Sequence, residues 1–103
     1  MKEFKGNEME INKGLKILTF TAPWCGDCKF IEPFLPLIEK EHQNFDFVEI
    51  NIDDFKEIAE KMSVKGIPSF VALSDGKEIG RFVNGDRKTK AQIDQFIDGL
   101  EIK

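Results

Sequence analysis

Two short apolar segments constrain the fold of this chain most strongly. "LKILTFT" (15–21) and "FDFVEIN" (45–51) are dense in β-branched and aromatic residues, which predicts two buried strands. Between them, from Cys25 to about Glu41, apolar residues recur at helical spacing: Phe30, Phe34, Leu37 and Ile38. A strand–helix–strand unit of this kind predicts parallel strands joined by a right-handed crossover. Because Pro33 and Pro36 each remove a backbone donor, we expect the helix to kink there.

The second half of the chain predicts a helix, a hairpin and a final helix. Residues 53–62 are amphipathic, with Asp53 or Asp54 as the capping residue and an apolar face formed by Phe55, Ile58 and Met62. Asp-Gly at positions 75–76, between two apolar runs, predicts a hairpin over residues 69–83. Thr89 is predicted to cap the last helix, whose buried stripe would be Ile93, Phe96, Ile97 and Leu100.

With a short helix near residues 7–13, the order of elements becomes α-β-α-β-α-β-β-α. This alternation predicts the α/β fold class, with helices on both faces of the sheet. We therefore expect a three-layer α/β/α sandwich around a central mixed sheet of about four strands. The whole chain, 1–103, is predicted to form a single domain.

Composition excludes several function classes. A net charge of −4 is the opposite of the basic patch that nucleic-acid binding requires. No apolar run approaches the roughly 18 residues that cross a membrane. The N-terminus lacks the apolar stretch of a secretory signal. We therefore expect a cytoplasmic, monomeric protein with neither nucleic-acid nor membrane partners.

The only two cysteines, Cys25 and Cys28, are separated by two residues and lie between the first strand and the helix. Amide groups in the first turn of a helix stabilise an anion, so a thiol placed there loses its proton more readily. The three-residue offset brings the second thiol to the same helix face. We expect Cys25 near the exposed helix tip and Cys28 one turn further in, as the attacking and resolving thiols of a redox pair.

A CxxC pair can also bind zinc or form a structural disulfide. A zinc site needs further ligands, and the chain offers no third cysteine and one distant histidine, His42, expected at the surface. A permanent structural disulfide is uncommon in a reducing compartment. Neither a metal nor a bound cofactor is therefore expected, because the Cys25–Cys28 couple would itself hold the electrons.

Several separate motifs, in order, resemble the thioredoxin family. They are Ala22, Trp24-Cys25-Gly26, Cys28-Lys29, Pro33, Asn51-Ile52-Asp53, Gly66-Ile67-Pro68 and Asp75-Gly76. The resemblance covers residues 13–101 and implies a dithiol–disulfide oxidoreductase. It implies that Pro68 is a cis-proline facing the cysteines, and that Ile67, Pro68 and Trp24 bind disulfide-containing protein substrates. It also implies a flavin- and NADPH-dependent thioredoxin reductase as electron donor, and an N-terminal edge strand that is vestigial or absent here.

The sequence departs from the family at two positions. Asp27 stands between the cysteines where the family usually has proline, and its carboxylate should disfavour a nearby thiolate, with Lys29 offsetting part of the effect. Gly26 completes this set of residues that modulate the active site. Thr19 stands where the family has a buried aspartate that helps to move the proton of the resolving thiol. We hypothesise that Asp27, directly or through a water molecule, partly substitutes for it.

Three competing functions remain open. An oxidase or isomerase would use the same fold with a different redox potential. Glutaredoxin-like chemistry would use glutathione, although that family commonly has Pro-Tyr between its cysteines. A non-catalytic binding module would keep the fold and not need the thiols.

Overall fold

The computed structural model describes residues 1–100. Within these residues the chain forms five strands and four helices. The strands are β1 (Lys2–Glu3), β2 (Leu15–Thr21), β3 (Asp46–Asn51), β4 (Ser69–Ser74) and β5 (Lys77–Phe82). The helices are α1 (Gly26–Ile31), α2 (Leu35–Glu41), α3 (Lys56–Lys61) and α4 (Lys90–Asp98), with 3-10 turns at Glu8–Glu10 and Glu32–Phe34. Among these residues no helix has both the length and the hydropathy needed to cross a membrane.

The strands form one mixed sheet in the order β1-β3-β2-β4-β5. Strand β3 is parallel to both β1 and β2, whereas β4 is antiparallel to β2 and to β5. The predicted parallel pair and the predicted hairpin are therefore both present. The α/β class is confirmed, and the sheet has five strands instead of about four. The additional strand is β1, two residues long, at the edge where a vestigial strand was expected.

Two apolar clusters fill the two faces of the sheet. On one face, Leu18 and Phe20 of β2 pack with Ala59 of α3 and with the N-terminal segment. On the other, Ile17 of β2 packs with buried residues of the three remaining helices, namely Ile31, Ile38, Ile93 and Ile97. Alternate residues of β2 thus face opposite layers, as the period of a strand requires. The resulting architecture is the expected three-layer sandwich.

The long helix is interrupted at the prolines, as predicted, but of the four apolar residues at helical spacing Ile38 is buried and the other three are exposed. A 3-10 turn at Glu32–Phe34 separates α1 from α2. The buried side chains are Ile31 and Ile38, each with 0% exposure. Phe30, Phe34 and Leu37 are instead exposed at 40%, 39% and 50%. The 3-10 turn rotates α2 about the helix axis relative to α1. A single helical period therefore cannot predict which side chains are buried in both helices.

Three smaller predictions also need correction. Helix α3 begins at Lys56 after Phe55, and no side chain caps it, so neither Asp53 nor Asp54 has the predicted role. The N-terminal helix is a 3-10 turn that Asn7 caps. His42 is buried, not at the surface, with its Nε2 3.0 Å from Asp94 Oδ1. The surface prediction failed because α4, distant in sequence, packs on α2 and covers the imidazole.

Candidate functional site

Cys25 is the N-cap residue of α1, between the end of β2 and the first helical turn. Its backbone is extended, with φ −83° and ψ 113°, which aims the side chain back over the helix terminus. There the Cys28 amide donates a hydrogen bond to Cys25 Sγ at 3.1 Å. Amide donors of this kind stabilise a thiolate more than a thiol, because a charged acceptor forms the stronger hydrogen bond. The geometry gives the Cys25 sulfur one built-in stabilising contact.

The two cysteines differ in electrostatic environment more than in exposure. Each residue is 6% exposed, so Cys25 is not the more exposed of the two, as we had expected. Burial first, then the interaction with Cys25 and the charge of Asp27, together raise the pKa of Cys28 to about 12, against a backbone hydrogen bond from Ala22 that lowers it. Both are free thiols in this structure. The Cys28 thiol therefore stays protonated at neutral pH in the reduced protein, in which Cys25 is also a free thiol.

The Ile67–Pro68 peptide bond is cis and lies against the cysteines. The carbonyl oxygen of Ile67 is 3.8 Å from Cys25 Sγ, and Ile67 packs on the small cluster that contains both cysteines. Ile67 is half-buried and Pro68 is buried. The structure thus brings together the two segments that the resemblance linked, although they are 42 residues apart in sequence.

The other predicted site residues lie next to the cysteines in sequence, just before α1 and within it. Trp24 is 66% exposed, and its indole Nε1 donates to both carboxylate oxygens of Asp53 at 3.1 and 3.2 Å. Gly26 and Lys29 are exposed residues of α1. The Trp24 ring, one residue before Cys25, therefore forms a large exposed apolar surface next to the motif.

Asp27 forms an ion pair that the sequence did not reveal. Arg87 Nε donates to Asp27 Oδ1 at 2.9 Å, and the Arg87 guanidinium carbon lies 4.4 Å from the centre of the Phe30 ring. Residues 84–88, the loop after β5, thereby contact the active-site helix. The carboxylate between the cysteines is partly neutralised by this arginine, more directly than by the Lys29 that was expected to offset it.

The same loop contains a second missed residue, Lys88. Its side chain is 1% exposed, and its ammonium donates to the carbonyl oxygens of Asn84 and Asp86 and to Asn84 Oδ1 at 3.0–3.2 Å. Burial lowers the pKa of Lys88, opposed by neighbouring negative groups that include Asp86 and Asp27. No local pattern marks this lysine, because only the folded loop encloses it. Its hydrogen bonds connect Asn84 and Asp86 within the loop that also contains Arg87.

Loop 84–88 also packs on the segment that precedes the cis-proline. Gly66 approaches the Asn84–Gly85 peptide so closely that a Cβ atom at position 66 would overlap the Asn84 carbonyl. The loop thus contacts both α1 and the Gly66–Pro68 segment, the two walls beside Cys25.

The Thioredoxin family profile matches residues 2–99 of this chain. The chain belongs to the thioredoxin family. It is 39% identical to a thioredoxin H-type of Ricinus communis over 88 residues, which cover 85% of this chain and 71% of that protein. It is 33% identical to a thioredoxin of Callithrix jacchus over 84 residues, covering 81% and 80%. The X-ray structure of Fasciola hepatica thioredoxin superimposes with a TM-score of 0.75 at 33% identity, covering 90% and 88% of the two chains.

Family membership and geometry agree on the chemistry. The paired thiols at a helix start, beside an X–Pro segment, form the dithiol centre of a thiol–disulfide oxidoreductase. The chain is an enzyme of this class, since its relatives are thioredoxins and its two motif cysteines lie close together, with the Cys28 amide bonded to Cys25 Sγ.

Proposed function

We propose that this protein reduces disulfide bonds in other proteins, with Cys25 as the attacking thiolate and Cys28 as the resolving thiol. The observation that supports this assignment most directly is the 3.1 Å hydrogen bond from the Cys28 amide to Cys25 Sγ. It stabilises negative charge on one sulfur only. The buried Cys28, with its pKa raised to about 12, would stay protonated until the second step.

The reaction would proceed through a mixed disulfide. Cys25 Sγ attacks one substrate sulfur, and the other leaves as a thiolate that takes up a proton. Cys28 then loses its proton and attacks Cys25 Sγ, releasing the second substrate thiol and forming the Cys25–Cys28 disulfide. Two electrons pass from the dithiol to the substrate. The couple itself stores them, so the mechanism requires no bound cofactor and no metal.

Substrate would lie across Trp24, Ile67 and Pro68. The exposed indole offers an apolar contact, and the Ile67 main chain beside Cys25 would pair with an extended substrate segment. In this arrangement Asp27 and Lys29, on the exposed side of α1, and Gly26, which lacks a side chain, border the path to the sulfurs. They would modulate substrate access and thiolate charge.

We further propose a flavin- and NADPH-dependent thioredoxin reductase as the electron donor, which would make the protein an electron carrier in the redox balance of the cell. A monomer in a reducing, cytoplasmic environment suits this role, because the dithiol must be regenerated after each turnover. The test is NADPH consumption in a mixture of reductase, this protein and a disulfide substrate.

Reduction of insulin disulfides tests the main proposal. We expect the wild-type protein to accelerate reduction by dithiothreitol, and Cys25→Ser to abolish the acceleration. Cys28→Ser should instead trap a mixed disulfide. If Cys25→Ser retained the acceleration, Cys25 would not be the attacking thiolate, and if the wild type gave no acceleration, a binding module would be the better assignment.

The reduction potential separates reductase from oxidase. We expect a value at or below about −230 mV for the Cys25–Cys28 couple, on the reductase side of known dithiol proteins. A value of roughly −180 to −120 mV would indicate an isomerase or oxidase on the same fold.

A further inference from the structure

A cavity of about 380 Å³ lies beside the resolving cysteine, between α1 with its following turn and the ends of β2 and β3. Its lining mixes the Cys28 thiol with charged and polar side chains. The lining residues are Thr21, Ala22, Pro23, Cys28, Lys29, Glu32, Leu35, Glu49 and Asn51. A polar cavity of this volume has room and hydrogen-bonding partners for several water molecules.

Glu49 is the acid of this cavity that belongs to the sheet. It pairs in register with Thr19 of the neighbouring strand, so both side chains project from the same face. The Thr21 hydroxyl donates to Glu49 Oε1 at 3.3 Å, which holds the half-buried carboxylate beside β2. Glu49 is therefore a fixed acid on a rigid strand.

The two other candidates, Thr19 and Asp27, do not line this cavity, although the charge of Asp27 raises the pKa of Cys28. Thr19 is fully buried, cannot act as a base at neutral pH, and its hydroxyl has no hydrogen-bond partner among residues 1–100. Asp27 is adjacent to Cys28 in sequence, but its Oδ1 accepts a hydrogen bond from Arg87 on the protein surface, and it does not line the cavity.

We propose that Glu49, acting through water in this cavity, accepts the proton of the Cys28 thiol when Cys28 attacks the mixed disulfide. The inference rests on the proposed role of Cys28 as the resolving thiol. The proton passes to a Glu49 oxygen, the Cys28–Cys25 bond forms, and the Cys25–substrate bond breaks with its electron pair leaving on the substrate sulfur. The protonated Glu49 then returns its proton to solvent.

The need for such a group follows from the raised pKa of Cys28, which makes spontaneous ionisation rare at neutral pH. Other charged groups also surround this reaction. Those facing Cys28 or Glu49 from the adjoining elements are Glu3, Cys25, Asp27, Lys29, Glu32 and Lys88. A test must therefore compare Glu49 with neighbouring acids and not only with the wild type.

Stopped-flow reaction with excess 5,5′-dithiobis(2-nitrobenzoate) measures the two steps separately. The first thionitrobenzoate is released when Cys25 attacks, and the second when Cys28 resolves, at a rate independent of reagent concentration. In Glu49→Gln we expect an unchanged first release and a second release about tenfold slower at pH 6.5. This loss is smaller than the roughly 10²–10⁴-fold contribution of a positioned general base, because solvent reaches the cavity. The difference should vanish toward pH 9, where hydroxide removes the proton.

Glu32→Gln, in the same cavity, is the matched control and should leave the second release within about twofold of wild type. Asp27→Asn tests the competing acid and is not a control. The proposal is wrong if Glu49→Gln has no effect, if it slows resolution equally at every pH, if Glu32→Gln produces the same loss, or if Asp27→Asn slows the second release tenfold in its place. Cys28→Ser should stop after one release. If it released both, the proposed roles of the cysteines would fail, independently of Glu49.

Discussion

Gly66 is the position where one added methyl group should damage both stability and activity. A Cβ there would overlap the Asn84 carbonyl oxygen and would lie 2.5 Å from its carbonyl carbon and 2.8 Å from the Gly85 amide nitrogen. Ordinary carbon–carbon contact begins near 3.5 Å, so the two backbones must separate by about 1 Å. All three contacted atoms belong to backbone, which cannot rotate away as a side-chain tip can.

Separating the two backbones would also displace groups that contact the active-site thiols. Gly66 precedes Ile67, whose carbonyl lies 3.8 Å from Cys25 Sγ, while the loop on the other side positions Arg87 against Asp27. Overpacking of this kind costs about 1–3 kcal/mol of unfolding free energy. A displacement of about 1 Å at a reacting centre reduces the rate by about 10²-fold. Gly66→Ala should therefore lower both the free energy of unfolding and the rate of disulfide reduction.

The assays are urea unfolding and kcat/KM for insulin disulfide reduction, compared with Gly85→Ala. A Cβ at position 85 meets no atom within 4 Å, so this control should stay within about 0.5 kcal/mol of wild type. If Gly66→Ala matched the control in both assays, the close approach of the two loops would not exist in solution.

Three further predictions concern Thr19, Cys28 and Arg87. Thr19→Val should raise the unfolding free energy by about 1 kcal/mol in urea, because it removes a buried hydroxyl without a partner among residues 1–100. Above pH 9.0 the unfolded chain releases the Cys28 proton, whereas the folded protein keeps it up to about pH 12. Between these two pH values the free energy of unfolding of the reduced protein should therefore fall by about 1.4 kcal/mol per pH unit. Urea titrations against Cys28→Ala isolate that component. Arg87→Gln should slow the second thionitrobenzoate release about threefold, since an unpaired carboxylate about 7 Å away costs near 0.6 kcal/mol in water. Adding Asp27→Asn to Arg87→Gln should restore the rate, which would assign the slower release to the charge of Asp27.

Each of these has a contrary outcome. A loss of stability in Thr19→Val would mean that the hydroxyl is satisfied in solution. An identical pH dependence in Cys28→Ala would assign the alkaline loss to other groups. A slower release in Arg87→Gln that Asp27→Asn did not reverse would indicate that the arginine acts through the loop and not through charge.

Strands and turns were predicted well because their signals are local. Strand β2 has the predicted bounds, and the Asp75-Gly76 turn joins β4 and β5 as expected. Thr89 caps α4 through its hydroxyl, with Gln92 completing a capping box. In each case the neighbouring residues alone favour the conformation, through pleated packing, positive φ at the turn or a satisfied amide.

Predictions failed where a distant segment decides the environment. His42 is buried because α4 covers it, and Phe30 and Phe34 are exposed because the 3-10 turn rotates α1 relative to α2. Neither effect is present in the helical period of the sequence itself. Arg87 and Lys88 likewise gave no signal, since their partners are contacts of the folded loop.

By itself the sequence determined the chemistry: two thiols at the start of a helix, with an acid between them, and strands in an order that allows one parallel crossover. Only the tertiary structure decided how those thiols are tuned. It paired Asp27 with Arg87, which is 60 residues away in sequence, and it placed Glu49 in the cavity that Cys28 also lines. The reason is that bonding geometry is fixed by local sequence, whereas burial and charge at a site are set by whichever segments fold against it.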